Sequence, residues 1–194
     1  MRTLALLLCL FPVAAAADCL LAGRAAELAV MISASTEQHR ELLICDPRLV
    51  AFAESRARDM AERGYFGHVG PDNLGPNALL VADGFPLPDA YPLGRNNSVE
   101  SIVGGLSRPA DVLDELLSSS RHRPQILGES RFFHEQDRYG IAYVYAPATP
   151  EVDLWVIVFA READPDEPEL DCTPPPGVCL ERSPARELPV KPPL

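Results

Sequence analysis

Asp46-Pro47-Arg48-Leu49-Val50-Ala51-Phe52-Ala53-Glu54-Ser55-Arg56-Ala57-Arg58-Asp59-Met60-Ala61-Glu62-Arg63-Gly64 is the stretch from which the fold is read. Asp46 suits an N-cap, Pro47 the first helical position, where no amide hydrogen is needed, and Gly64 the left-handed residue beyond the last turn. Between them Leu49, Phe52, Ala53, Ala57, Met60 and Ala61 recur at helical spacing, which predicts a helix with one apolar face. Upstream, Ala25 to Leu43 carries a weaker helical pattern through Leu28, Met31 and Ile32, and places His39 on its exposed side.

Downstream, Leu74 to Asp83 predicts a short helix closed by Gly84, and Phe85 to Ser98, rich in Pro, Gly and Asn, reads as a loop. Ser107 and Pro109 open a further helix with Val112, Leu113, Leu116 and Leu117 on one face, ending near Ser119. His134 falls in a polar loop. Two strands follow: Tyr139 to Tyr145, and the run Asp153-Leu154-Trp155-Val156-Ile157-Val158-Phe159-Ala160, whose β-formers suit burial on both faces, with Ala146 to Val152 as the hairpin loop. Helices followed by strands in one chain make the class α+β.

The ends read differently. Arg2, the apolar run Leu4 to Ala17 and the small residues Ala15-Ala16-Ala17 ahead of Asp18 have the form of a secretory signal peptide over residues 1–17. The run is too short to span a bilayer and none like it follows, so no transmembrane segment is expected. Asp18 stands where a lipoprotein signal wants a small residue before Cys19, which disfavours a lipid anchor. Removing 17 of the 194 residues leaves 177, enough for one domain with a substantial core, and takes the formal charge from −11 to −12. That acidity repels phosphate backbones and argues against nucleic acid as a partner.

Cys9 leaves with the signal; Cys19, Cys45, Cys172 and Cys179 remain, an even number that suits two disulfides in an oxidising compartment, secreted or periplasmic. Four cysteines allow three connectivities. Cys172 and Cys179 bracket a tight Thr-Pro-Pro-Pro-Gly-Val loop and would make a local clasp, leaving Cys19 to Cys45, and no Cys-x-x-Cys pair points to thiolate zinc. Residues 164–194 hold 9 of the chain's 20 prolines and read as an extended tail without regular structure. The domain is therefore expected over residues 18–163.

His68, Glu100 and His122 stand where predicted elements give way to loops, so a compact fold can gather two imidazoles and a carboxylate, the makings of a metal or acid/base site. Two neutral imidazoles and a carboxylate are the protein ligands of several hydrolytic zinc sites. Ser119 and His122, three apart, can be drawn with Glu100 as a triad. There is, however, no His-Glu-x-x-His helix and no Gly-x-Ser-x-Gly elbow, so no catalytic function is derivable.

In order, Asp59-Met60-Ala61, Phe66-Gly67-His68 with Pro71-Asp72, Asn97-Ser98-Val99-Glu100-Ser101-Ile102, Ser119-Ser120-Arg121-His122-Arg123 with Ile126-Leu127, Tyr139-Gly140-Ile141-Ala142 and Leu154-Trp155-Val156 resemble the CAP superfamily. That group comprises the cysteine-rich secretory proteins, antigen 5 and pathogenesis-related 1 proteins, here in the bacterial SCP-like extracellular branch. The resemblance runs from about residue 27 to 161 and rests on order and spacing. It implies a three-layer α-β-α sandwich with a central antiparallel sheet. It also implies a cleft of two histidines and two acids that binds a divalent metal in some members.

Carried over, the histidines are His68 and His122, with Glu100 as one acid and Ser119 in the place of the other. Ser101 follows the motif glutamate where Asn is usual, Leu116 stands for the usual helix tryptophan, and Glu115 lies one turn before Ser119. The expected metal ligands are His68 and His122, with Glu100 in support, for Zn²⁺ or another divalent ion. Three functions follow as expectations: a monomeric secreted binding module for an extracellular or envelope ligand, a metal-dependent hydrolase of peptides or envelope polymers, and a lipid or sterol carrier.

Overall fold

A computed structural model describes Cys19, residues 21–165 and the short strands Leu170–Asp171 and Leu180–Glu181. The segment read as a signal peptide, and Cys172 and Cys179 with their clasp, lie outside the described residues.

The chain opens with α1 (Gly23–Ser33), then β1 (Ile44–Cys45), α2 (Pro47–Arg63) and α3 (Pro76–Ala82). β2 (Glu100–Gly104), α4 (Pro109–Ser118), α5 (Arg123–Leu127) and α6 (Arg131–His134) follow. The hairpin of β3 (Arg138–Ala146) and β4 (Val152–Ala160) completes the main sheet. α2 forms for the reasons its sequence gives: the Asp46 side chain accepts from the Arg48 amide at 2.9 Å, Pro47 starts the first turn, and Gly64, at φ +65°, returns its N–H to the Met60 carbonyl.

The sheet runs in the order β1-β3-β4-β2. β3 and β4 pair antiparallel from Arg138 opposite Ala160 to Ala146 opposite Val152, and β2 extends β4 antiparallel, Glu100 opposite Val158. β1 pairs with β3 in parallel, so the sheet is mixed where an antiparallel one is expected. The physical reason is connectivity: β1 feeds straight into α2, and most of the domain lies between Cys45 and its partner Tyr139, a crossover long enough to bring β3 in alongside in the same direction. A disulfide joins Cys19 to Cys45, with Cα atoms 5.7 Å apart.

β4 is buried along Leu154 to Ala160. Leu154, Val156, Val158 and Ala160 pack in one cluster with Leu49, Phe52, Ala53 and Met60 of α2 and Leu80 of α3. Trp155, Ile157 and Phe159 pack in another with Leu28 and Ile32 of α1, Val112 and Leu116 of α4 and Ile126 of α5. Such alternation follows from the two-residue period of a strand, and each large side chain so buried contributes about 1.5–3 kcal/mol. α2 seats closely on β3: a Cβ at Gly140 would lie 2.1 Å from the Leu49 carbonyl carbon.

Several expectations are corrected. α1 ends at Ser33, well before Leu43, so His39 is exposed but in a loop, its N–H donating to the Leu127 carbonyl. His134, also exposed, closes α6, a single turn. β2 and β1 add strands to the expected hairpin. β5 (Leu170–Asp171) and β6 (Leu180–Glu181) form a small antiparallel pair of their own inside the segment read as devoid of regular structure.

Candidate functional site

The site is built around a charged residue of α2. Arg56 is buried, and its Nε donates to Glu100 Oε2 at 2.8 Å, with a second nitrogen 3.4 Å from Glu100 Oε1. The guanidinium also donates to Tyr65 Oη at 2.7 Å and to the carbonyls of Gly67 and His68 at 3.2 and 3.0 Å. Burial by itself would lower the pKa of Arg56; the Glu100 carboxylate and its hydrogen bond outweigh that and raise it. By gripping two carbonyls, Arg56 fixes the turn that leaves α2 and so sets the height of His68.

Glu100 is held from its own strand as well. Asn97 Oδ1 accepts from the amides of Val99 and Glu100 at 3.2 and 2.9 Å, and Asn97 Nδ2 donates to the Glu100 carbonyl at 2.8 Å. This is an Asx turn that starts β2 with the carboxylate pointing at Arg56. His68 Nδ1 lies 2.9 Å from Glu100 Oε1. Because a carboxylate accepts only, Nδ1 is the donor in that contact and Nε2 is left as the free ring nitrogen of His68.

His122 comes from the other side, at the head of α5. Ser119 caps the C-terminus of α4; its carbonyl accepts from the His122 and Arg123 amides at 3.2 and 2.9 Å, and its Oγ accepts from the His122 amide at 3.4 Å. Gln125 ties α5 to β2, accepting from Ser101 Oγ at 2.7 Å and donating to the Ser98 carbonyl at 3.3 Å. Arg40, buried, reaches beneath with 2.6 and 3.0 Å bonds to the carbonyls of Gln125 and Ile126 and one of 3.0 Å to Phe133. Burial pushes its pKa down to about 10.

His68, Glu100 and His122 therefore line one cavity of about 410 Å³, together with Asn97, Ser98, Ser101, Arg121, Gln125 and Phe133. Ser119 is not part of that lining. Burial, and then the neighbouring His68 and Arg121, lower the His122 pKa against an opposing pull from Glu115, so the ring is neutral at pH 7. His122 Nδ1 is buried and has no hydrogen-bond partner.

The triad drawn from Ser119, His122 and Glu100 is not assembled. Glu100 pairs with His68, His122 Nδ1 is unpartnered, and Ser119 Oγ accepts a backbone amide. Nor do Ser119 and His122 share a helical face, since α4 has ended at Ser118. For a metal, the donors free to ligate are the two imidazoles. Both Glu100 oxygens are already engaged by Arg56 and His68, and among the described residues no group of three or more His, Cys, Asp or Glu side chains is disposed to hold an ion. The residues thus do not fit a three-ligand zinc centre.

Arg56 is the residue that sequence reasoning missed. Its signal is on the helix: Phe52, Arg56 and Met60 follow one another at intervals of four, so the arginine interrupts the buried stripe of α2, where a charge needs a partner.

No protein-family model matches the chain, and no curated protein matches it. Among solved structures, the chain is similar to an outer surface protein of Borrelia burgdorferi, with a TM-score of 0.52 and 16% identity over 71% of this chain and 89% of that one. It also aligns with an extracellular protein containing an SCP domain from Bacillus anthracis, with a TM-score of 0.46 and 22% identity over 63% of this chain and 35% of that one. No helix among the described residues is long and apolar enough to cross a membrane. At these identities the first likeness is one of fold.

Proposed function

We propose that this chain is an exported CAP-like binding module, secreted or held at a cell surface, whose His68–Glu100–His122 cleft receives an extracellular or envelope ligand. In this reading residues 1–17 are a cleaved signal, the domain over residues 18–163 is the three-layer α-β-α sandwich of that superfamily, and the tail follows it. The order of its motifs and the fold likeness to an outer surface protein support the reading.

The observation that carries a binding role is the division of labour in the cleft. Glu100 is fully committed inside the protein, its side chain 0% exposed, whereas His68 Nε2 and His122 Nδ1 have no partner among the described residues. The His68 ring, 35% exposed, can present Nε2 to a ligand, with His122 Nδ1 buried behind it, while the two serines of the cavity hydrogen-bond to Gln125 and Asn77. Soluble fragments of cell-envelope polymers, added to the mature protein while the ring protons of His68 and His122 are followed by NMR, test this. Saturable shifts with the fragments recovered intact are expected. Steady cleavage that disappears in His68→Ala and His122→Ala would replace the module with a hydrolase.

A second reading, a weakly held divalent ion between the two imidazoles with Glu100 orienting His68, is favoured by the unpartnered His122 Nδ1. Arg121 on the same cavity works against it by charge.

A further inference from the structure

Arg121 is set apart from the rest of the chain's arginines. Arg123, two residues on, bonds Glu37 at 2.6 Å and Glu129 at 2.8 Å, and Arg108 and Arg131 face Asp111 and Glu135. Arg24, Arg48, Arg58, Arg63 and Arg138 are likewise in ion pairs, and Arg95 donates to Asn73. Arg121 alone among the described arginines has no hydrogen bond, ion pair or ring contact, and it lies exposed on the wall of the cavity that His68 and His122 share. A chain of formal charge −11 offers many carboxylates, yet among the described residues none is spent on this guanidinium.

The remaining charge around the cavity points the same way. Its one lining carboxylate, Glu100, is offset from within by Arg56 at 2.8 Å and shielded from solvent. Glu115, exposed on α4, is the acid that acts on His122, and it does not line the cavity. Asn97, Ser98, Ser101 and Gln125 have side-chain groups bonded to the protein itself. What is left to meet a ligand is the Arg121 guanidinium with its full set of donors and His68 Nε2, with Phe133 on the same lining.

We propose that the group received in this cleft is a carboxylate, bound at the rim by the Arg121 guanidinium. The inference rests on the binding-module reading and adds the chemistry of its ligand. A guanidinium fork matches a carboxylate in two parallel hydrogen bonds, geometry that a neutral amide or hydroxyl does not reproduce. An amphipathic ligand with the carboxylate beside a small apolar group would also cover Phe133.

Three probes test it on the mature, disulfide-bonded protein: N-acetylglycine as its anion, the neutral isostere N-acetylglycinamide, and D-galacturonate as a carboxylate of carbohydrate origin. Binding is read from the Arg121 Nε–H signal and the ring protons of His68 and His122. At least one carboxylate should bind about tenfold or more tighter than the amide, lose that advantage in Arg121→Gln and recover part of it in Arg121→Lys. Which of the two anions binds better assigns the source, peptide or sugar acid. Equal binding of amide and carboxylates, or unchanged carboxylate affinity in Arg121→Gln, overturns the inference while leaving the cleft a binding site. Absence of any carboxylate-induced shift also overturns it, and the envelope-fragment titration then decides separately whether the cleft binds anything.

Discussion

Arg56 and Glu100, 44 positions apart in sequence, meet at 2.8 Å with their side chains 4% and 0% exposed, so the cleft stands on an ion pair that water does not reach. A buried pair gives little net stability over an apolar substitute, but losing one member strands the other. Arg56→Gln should therefore cost about 3–5 kcal/mol, seen as a large drop in the denaturant midpoint, and should release the His68 turn by removing its bonds to the Gly67 and His68 carbonyls. Arg56→Lys, which keeps the charge but not the fork, should fall between. A loss under about 1 kcal/mol in Arg56→Gln would mean that Glu100 finds another partner or is not buried in solution.

His122 should make stability depend on pH. Its folded-state pKa is lowered, chiefly by burial, whereas in the unfolded chain it stays near the ordinary value of roughly 6.5. The unfolded state then binds more protons in that window, so the contribution is fully present above about pH 6.5 and is lost as pH falls from there through the folded-state value. Thermal melts from pH 7.5 to 5 should show a steeper decline for the wild type than for His122→Asn. Parallel curves would show that His122 is as well solvated folded as unfolded.

The Cys19–Cys45 bridge closes a loop with a sequence separation of 26, for which chain entropy predicts a loss of about 3–4 kcal/mol in the Cys19→Ser, Cys45→Ser double variant. Thiol titration of the unfolded, unreduced mature protein should find no free thiol. Two reactive thiols would mean that Cys172 and Cys179 are not joined.

For the metal reading, calorimetric titration with Zn²⁺ at pH 7.5 and 5.5 should give weak binding at the higher pH, less at the lower, and a further loss in His68→Ala, because only deprotonated imidazoles ligate. Binding that ignores both pH and His68 would locate the ion elsewhere.

Gly140→Ala probes the seat of α2. The added Cβ would come within 2.1–2.4 Å of backbone atoms of Leu49 and Val50, which no rotamer change can relieve. A cost of about 3 kcal/mol or more in chemical denaturation is expected, at the upper end for overpacking because backbone must move.

How much of this could be read from the residues alone depended on length and on punctuation. α2 was legible because Asp46-Pro47 and Gly64 mark its ends, and β4 because eight consecutive residues favour extended structure. β2 was not: five residues that follow an asparagine-rich turn and end on the first of two glycines carry too little period, and its place beside β4 is decided by pairing far along the chain. β1, two residues long, has no local signal at all, and the mixed sheet follows from it.

His68, Glu100 and His122 were legible as a set through motif order, and they do line one cavity. Ser119, placed by the same alignment, serves the backbone of the loop instead. Arg56 and Arg121 were passed over because arginine in a helix or turn is ordinarily solvated. Only the three-dimensional inventory of partners shows one spent entirely inward and the other not spent at all.

The contact at Gly140 makes α2 a ruler for the cleft. With its first turn seated on bare strand backbone, the helix cannot slide along β3, and Arg56, seven residues beyond Leu49, is delivered about 10 Å farther along the axis at a set height. The depth at which Glu100 and His68 sit is thus measured from a packing point outside the cavity, while Arg121 belongs to a loop under no such gauge. Substitutions at the rim can therefore reshape that wall of the cavity without disturbing its floor.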